Sequence, residues 1–431
     1  MYDTIQEQQE KAFLISVYMY PQTEEVASEH LDELALLSET FGFKVVGKET
    51  VRIRKYDPAT SIPEGKLEEL LELVKQSKAT HVVFDDELAP SQQRNLEAFF
   101  GRPVGDRTEV ILGVFDQRAQ TKEARLQVEL ASVRYQAPRL KRLWRHLSRQ
   151  SGGGASAGSG ATKGEGEKQI ELDRRILKDK IDDLKKQLKD VRAKRETQRG
   201  LRKKSGIPTF AIIGYTNAGK STLMNALTEA GVLMEDKLFA TLDTTTRKLT
   251  LKNNQDILLI DTVGFIRKLP HLLVEAFKST LEEATKADIL VHLIDASHPM
   301  ALEQAETTFE VLKELGAEKK PMLTLLNKVD KPECEKNLMR LRLSYPHTTP
   351  ISALTKEGFE DMEEALIDAL SKLRHRISLR VPQSDYHIVS EIQKHGQVLS
   401  LDYEENDVII EAEVPGWLAG KLLPKEPDDD F

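Results

Sequence analysis

The stretch TFAIIGYTNAGKSTLMNAL, residues 209–227, decides the fold. Phe210 to Ile213 make a short apolar run that reads as a buried strand. The run meets Gly214, and after four further residues come Gly219, Lys220 and Ser221. A helical stretch, Thr222 to Glu229, follows directly. Strand, glycine-bearing loop and helix in that order make a phosphate cradle. Glycines let the backbone curl so that successive N–H groups converge. The helix N-terminus adds its dipole. At this spacing Lys220 reaches the β- and γ-phosphates, and the Ser221 hydroxyl ligates Mg2+. Gly214, Tyr215, Thr216, Asn217, Ala218, Gly219, Lys220, Ser221 and Thr222 are the expected phosphate-binding residues.

The base is read further along. LTLLNKVD places Asn327, Lys328 and Asp330 after an apolar strand. A carboxylate can accept from both the ring N–H and the exocyclic amine of guanine, a pair that adenine lacks. The pattern N-K-x-D downstream of the phosphate loop therefore points to GTP and GDP rather than adenine nucleotides. ISAL then offers Ser352, Ala353 and Leu354 for contact with the guanine.

Between the two lies ILLIDTVGF. Asp261 ends a strand there and can hold Mg2+ through water; Thr262 and Val263 lead to Gly264, whose N–H can reach the γ-phosphate. Upstream, FATLDTTTR holds Phe239, Ala240, Thr241, Leu242 and Asp243. Thr241 is a candidate second Mg2+ ligand, with Thr244, Thr245 and Thr246 as competitors. Both loops read as switches, ordered by GTP and released on hydrolysis. Lys220, Thr241 and Gly264 are the residues expected to carry that hydrolysis. Phe265 stands where a water-orienting glutamine often follows the glycine, and it cannot orient water. Slow intrinsic hydrolysis is expected, with the water positioned by a group from elsewhere. Asn217 is a candidate to help bind K+ in the loop.

The chain has 431 residues, enough for two to four domains. One cysteine, Cys334, excludes an internal disulfide framework and fits a reducing, cytoplasmic setting. The start MYDTIQEQQEKAF carries no signal peptide pattern, and no apolar stretch reaches the length of a membrane span. The net charge of −8 excludes a wholly basic nucleic-acid binder. Residues 134–204, however, hold 22 Lys+Arg against 9 Asp+Glu, a balance of +13, which leaves −21 for the rest. Such a confined basic region fits a polyanion contact or a solvated helical surface equally well.

The organisation is that of a multidomain α/β protein. Residues 1–120 alternate strands (AFLISVYM, FKVVGKETVRI, ATHVVFD, EVILGVF) with helices (EEVASEHLDELALLSETF, GKLEELLELVKQS, PSQQRNLEAFF) and predict an N-terminal α/β domain with a parallel sheet. Residues 121–204 predict a basic helical hairpin. One heptad seam runs through Leu126, Leu130, Val133, Ala137, Leu140, Trp144 and Leu147, and a second through Leu177, Ile181, Leu184, Leu188 and Val191. The Gly-rich stretch 151–167 separates them and cannot hold regular structure. A helix from Thr121 to Arg149 would be roughly 40 Å long, bent or broken near Pro138. Residues 205–373 form a P-loop GTPase G domain of Ras-like type, and 374–431 a small α+β domain ending in the acidic tail PKEPDDDF.

By these residues the chain resembles the HflX family of ribosome-associated GTPases, within the TRAFAC class of P-loop GTPases. GYTNAGKSTLMN, LFATLDTTTR, NKVD and above all DTVGFIRKLPHLLVEAFKSTL are similar to that family's G domain. LQVELASVRYQAPRL, RHLSRQSGG and IELDRR resemble its helical region, and FDDELAPSQQRNLE its N-terminal domain. The resemblance implies a Mg2+-dependent GTP hydrolase that binds the large (50S) ribosomal subunit and its rRNA. It further implies splitting of stalled or stressed 70S ribosomes, with hydrolysis releasing the factor. Arg139, Lys141, Arg142, Arg145, Arg149, Arg174 and Arg175 are the candidate rRNA contacts. A monomer without stable membrane insertion is expected. Some family members bind ATP through the N-terminal domain; here that region offers only PEGKLEEL and no phosphate loop. The Gly-rich stretch lacks the Arg and Pro of the family's usual run, and Thr244 stands where a proline is usual. Two other classes fit the same G domain: a switch for a non-ribosomal protein partner and a ribosome-assembly GTPase.

Overall fold

The computed structural model describes residues 9–139, 172, 175–191, 193, 207–228, 238, 239, 242, 244–268, 270, 273, 283–345, 347–404 and 406–422. The chain divides into two compact units. The first comprises Met1–Arg192, Met234–Asp243 and Ile266–Ser279; the second comprises Ala193–Leu233, Thr244–Phe265 and Thr280–Phe431.

The first unit is built on a four-stranded parallel sheet of β1 (Lys11–Tyr18), β2 (Lys44–Arg52), β3 (His81–Phe84) and β4 (Val104–Asp106), in the order β2-β1-β3-β4. Seven of the eight residues of β1 are buried, as expected where helices cover both faces. Helices α1 (Glu24–Phe41), α2 (Glu64–Gln76) and α3 (Pro90–Phe100) match the stretches read as helical. Thr23 caps α1 by accepting from the Val26 N–H, and Gly42 closes it in the left-handed region.

One reading is corrected. EVILGVF is not a strand; it lies within α4 (Arg107–Arg118), and the fourth strand is Val104–Asp106. The helix begins where the Asp106 side chain accepts from the Glu109 N–H. Val110, Ile111, Leu112, Val114 and Phe115 are all buried, and a helix buried nearly all round shows no amphipathic period. The helix that follows Thr121 breaks next to Pro138, as expected, and residues 140–149 lie outside the described ones. α5 spans Lys122–Gln136 and gives way to a 3-10 turn, Ala137–Arg139. Ala137 keeps α-region dihedrals and bonds to the Val133 carbonyl, but Pro138 has no N–H with which to continue the ladder, and the α-helix ends there.

The two seams do meet. Residues 175–191 form helix α6. Its Leu184 and Leu188 share a core with Leu126, Leu130 and Val133 of α5, flanked by Leu177, Ile181 and Val191. Leu140, Trp144, Leu147, the stretch 151–167 and the tail 424–431 lie outside the described residues.

The second unit carries a six-stranded sheet, β10-β9-β8-β5-β7-β6. Its strands are β5 (Thr209–Gly214), β6 (Thr245–Thr250), β7 (Asp256–Asp261), β8 (Ile289–Asp295), β9 (Met322–Asn327) and β10 (Thr348–Pro350). All pairs are parallel except β6 with β7. The core of Phe210, Ile212, Ile257, Leu259, Val291 and Leu325 packs against Leu223 and Met224 of α7 (Lys220–Thr228). β7 pairs with one side of β5 and β8 with the other, the switch point outside which such sheets bind ligands.

A three-stranded antiparallel sheet follows, β11 (Arg374–Pro382), β12 (Gln397–Glu404) and β13 (Asp407–Pro415), in the order β11-β13-β12. Val408, Ile410, Ala412 and Val414 alternate inward onto Val389 and Ile392 of the helix Tyr386–His395. A last helix, Gly416–Leu422, adds Leu418 to that core and was not foreseen in the sequence.

Candidate nucleotide site

The carboxyl ends of β5, β7 and β9 supply Gly214, Asp261 and Asn327. Gly214 and Gly219 have φ of 152° and 94°, which a side chain would strain. A Cβ on Gly214 would lie 2.2 Å from the Leu293 carbonyl oxygen, so the loop hugs β8 and only glycine fits. Asn217 also sits at positive φ, 61°, exposed at the loop's tip.

Lys220 opens α7 and is buried. Its Nζ donates to the Gly214 and Tyr215 carbonyls at 3.1 and 2.7 Å, folding over the loop it belongs to. Burial pushes its ammonium down to about 8, against the opposing pull of Asp261. Next to it the Ser221 hydroxyl donates to Asp261 Oδ2 at 2.9 Å. A hydroxyl and a carboxylate side by side are the hard oxygen donors that suit Mg2+, so the residues fit that ion. Thr262 turns away and donates to the Ile212 carbonyl at 2.7 Å.

Gly264 and Phe265 are held close to the loop. Phe265 donates its N–H to the Gly214 carbonyl at 3.0 Å, and its carbonyl accepts from the Thr216 N–H at 2.7 Å. A Cβ on Gly264 would come within 2.8 Å of Lys220 Nζ and 2.9 Å of Thr216 Cα. The Phe265 side chain is fully buried and offers no polar group.

The base-reading residues interlock. Asn327 donates to the Ala218 carbonyl at 2.8 Å and accepts from the Ala353 N–H at 2.9 Å. Ser352 donates to Asp330 Oδ1 at 2.6 Å and leaves the exposed carboxylate aimed by one oxygen. Lys328 pairs with Asp295 at 2.7 Å. Asp295 was missed in the sequence, although an acid ending the apolar run ILVHLID marks it. Leu354 is exposed, and Val263 is buried.

Of the segment 239–243, Phe239 and Leu242 are buried in the first unit, whereas Ala240, Thr241 and Asp243 lie outside the described residues. The structure thus brings together Gly214 to Ser221, Asp261, Gly264, Asn327, Asp330, Ser352 and Ala353. It corrects one rRNA candidate. Arg139 is buried, and its guanidinium donates to Gln93 Oε1 and to the Leu88 and Tyr135 carbonyls at 2.7–3.0 Å. Arg175 is exposed; Lys141, Arg142, Arg145, Arg149 and Arg174 lie outside the described residues.

Three family models match consecutive parts of the chain. They are the GTP-binding GTPase N-terminal over residues 28–116, the GTP-binding GTPase Middle Region over 118–202, and the 50S ribosome-binding GTPase over 209–328. The GTPase HflX of Chlamydia pneumoniae is 46% identical over 415 residues, covering 96% of this chain and 88% of that protein. The chain belongs to the GTPase HflX family. Two further HflX GTPases are similar over nearly their whole lengths. That of Lacrimispora saccharolytica is 44% identical over 97% of this chain and 96% of its own, and that of Escherichia coli K12 is 39% identical over the same shares. A GTP-binding protein from the archaeon Sulfolobus solfataricus, solved with GDP, is 25% identical, with a TM-score of 0.43, over 85% of this chain and 100% of that one. As an HflX-family GTPase the chain binds guanine nucleotides and hydrolyses GTP. Among the described residues no helix is long and apolar enough to cross a membrane.

Proposed function

We propose that this GTPase binds the large ribosomal subunit in its GTP form, splits stalled or stressed 70S ribosomes, and leaves when GTP is hydrolysed. The observation that carries the reading is the basic helical arm. Leu184 and Leu188 bury against α5, Lys180 pairs with Glu129 of α5 at 2.8 Å, and Arg175, Lys178, Lys185, Lys186 and Lys189 stay exposed on the same helix. Apolar residues fix the arm, and cations on its free faces can position it on rRNA phosphates. The description of the matched G-domain family, a 50S ribosome-binding GTPase, supports the same partner.

In this reading Lys220 turns from the Gly214 and Tyr215 carbonyls to the β- and γ-phosphates. The Gly264 N–H meets the γ-phosphate, and the Asp330 carboxylate reads guanine, with Ser352 fixing its orientation. Ser221 and Thr241 would hold Mg2+, with the Asp261 carboxylate that now accepts from the Ser221 hydroxyl behind them. Bound there, the ion would supply charge that neutralises the phosphates. Asn217, exposed at the loop tip, is the residue that would meet K+. Phe265 cannot orient the attacking water, so the subunit supplies or positions the missing group.

Steady-state GTP hydrolysis with and without purified large subunits tests this. Strong stimulation is expected, together with conversion of 70S particles to subunits on sucrose gradients. Unstimulated hydrolysis with intact GTP binding overturns the ribosomal reading in favour of another partner.

A further inference from the structure

β8 and β9 lie side by side and end in register, with Asp295 opposite Asn327. After β8 the chain turns at once. The Ser297 N–H and hydroxyl both donate to Asp295 Oδ1, at 3.0 and 2.6 Å. Asn337, from the helix Glu335–Ser344, braces the same turn by donating to the Ala296 and His298 carbonyls at 3.0 and 2.8 Å. The Ala296 N–H donates to the Asn327 carbonyl at 2.9 Å, so the turn is also pinned to β9. Asp295 is buried, and this bracing leaves its carboxylate little freedom.

The second oxygen of that carboxylate has a different task. Asp295 Oδ2 lies 2.7 Å from Lys328 Nζ, and among the described residues no other carboxylate pairs with this lysine. Lys328 is largely covered, and its backbone stands in the left-handed region at φ of 66°. Its neighbours are committed as well. Asn327 is tied to the phosphate loop through the Ala218 carbonyl, and Asp330 to Ser352. In sequence Lys328 thus stands between the tie to the phosphate loop and the carboxylate expected to read guanine. A free lysine side chain samples many rotamers, and one whose ammonium is held by a buried, braced carboxylate samples few.

We infer that Asp295 is a positioning residue for guanine-nucleotide binding, holding Lys328 in the conformation in which it meets the nucleotide. The inference rests on the reading that Asn327, Lys328 and Asp330 line the nucleotide. With its ammonium tied to Asp295 beforehand, Lys328 has little side-chain freedom left to lose on binding. Released from Asp295, it must be ordered by the nucleotide itself, and affinity falls. The effect is the same for GDP and GTP, because the tie lies at the loop that reads the base they share. A contact made alike before and during hydrolysis changes KM and spares kcat.

The test uses the full chain with Asp295→Asn, Lys328→Met and the two combined, each checked for a native thermal transition. Asparagine keeps an oxygen to accept from Ser297, but its amide nitrogen cannot accept from Lys328. The turn is thereby spared and the tie to the lysine is lost. The measurements are affinity for a fluorescent GDP, and kcat and KM for GTP. Asp295→Asn is expected to weaken GDP binding about fivefold and to raise KM by the same factor, with kcat held. Lys328→Met should do the same, and the combined variant should be no worse than either alone, because both remove one interaction. Should Asp295→Asn fail to fold, Ser297→Ala decides in its place: loss of the hydroxyl that aims Asp295 should weaken GDP binding in the parent and not in Lys328→Met. Parental GDP affinity in Asp295→Asn, or losses that multiply in the combined variant, overturns the inference. Parental GDP affinity in Lys328→Met defeats instead the reading on which it rests, that this lysine lines the nucleotide.

Discussion

Asn327 donates a 2.8 Å hydrogen bond from its carboxamide to the carbonyl of Ala218. The end of β9 is thereby tied to the phosphate loop, 109 residues earlier in sequence. The same carboxamide accepts from Ala353, so one buried side chain joins three loops. Asn327→Ala leaves the Ala218 carbonyl and the Ala353 N–H without it, a loss of about 1–3 kcal/mol for each buried group. Affinity for GDP is expected to fall at least tenfold, read by titration with a fluorescent GDP. An unchanged affinity would show that the loops hold their places without this tie.

Asp330→Asn keeps the shape of the side chain but replaces one acceptor oxygen with a donor. The variant loses the pairing with the guanine N–H and amine and gains a match to xanthine, whose C2 carries an oxygen. Competition between GDP and XDP should reverse in favour of XDP. Continued preference for GDP would defeat the base-reading role of Asp330.

Lys220 in the nucleotide-free protein titrates near 8, below its ordinary 10.5, because burial disfavours the ammonium. Only the charged form binds phosphate well. Affinity for GDP is therefore expected to be flat below about pH 8 and to fall roughly tenfold per unit above it, until the bound-state value is reached. Stability runs the other way. The unfolded chain holds the proton up to 10.5 and the folded chain only to about 8, so the unfolded state binds more protons between them. Stability of the nucleotide-free protein should rise across that interval. Titrations and melts from pH 7 to 10 measure both, and an affinity that stays level to pH 10 would refute the assignment.

Much of this was legible in sequence because short motifs dictate backbone. Gly214, Gly219 and Lys220 announce strand, loop and helix, and the structure places β5 and α7 on either side of them. The acids and amides ending β7 and β9 were readable for the same reason: an apolar run stops at a polar residue. α4 was not legible. Its Val110, Ile111, Leu112, Val114 and Phe115 are buried on nearly every side, and such a run has neither a two- nor a 3.6-residue period to betray it. The buried ion pairs that Arg107 and Arg267 make with Glu33 and Asp85 within the first unit were hidden for a different reason. Glu33, Asp85, Arg107 and Arg267 are ordinary surface residue types, scattered over more than two hundred positions, and only the fold gathers them. Arg139 was misjudged likewise, since a basic stretch does not reveal which of its cations turns inward.

Arg139 makes that last point testable. Its guanidinium lies over the Tyr135 ring at 3.6 Å and reaches Asp106, the one cation among partners that also include the Tyr135 hydroxyl at 2.9 Å and the Leu88 and Glu109 N–H groups at 3.0 Å. Asp106 is wholly buried, and burial already raises its carboxyl above the ordinary value. Removing one partner of a buried pair costs about 3–5 kcal/mol, because the other charge is left uncompensated. Arg139→Ala is therefore expected to destabilise the first unit. The pH dependence follows from the sign of the shift. Without Arg139 the folded protein keeps the Asp106 proton to higher pH than the unfolded chain does. Folded molecules then bind more protons, and stability falls as pH rises through that range. Denaturant midpoints of Arg139→Ala and the parent should differ more at pH 8 than at pH 5. A phosphate contact predicts the opposite pattern: midpoints unchanged at both pH values, with weaker, less salt-dependent binding to large subunits.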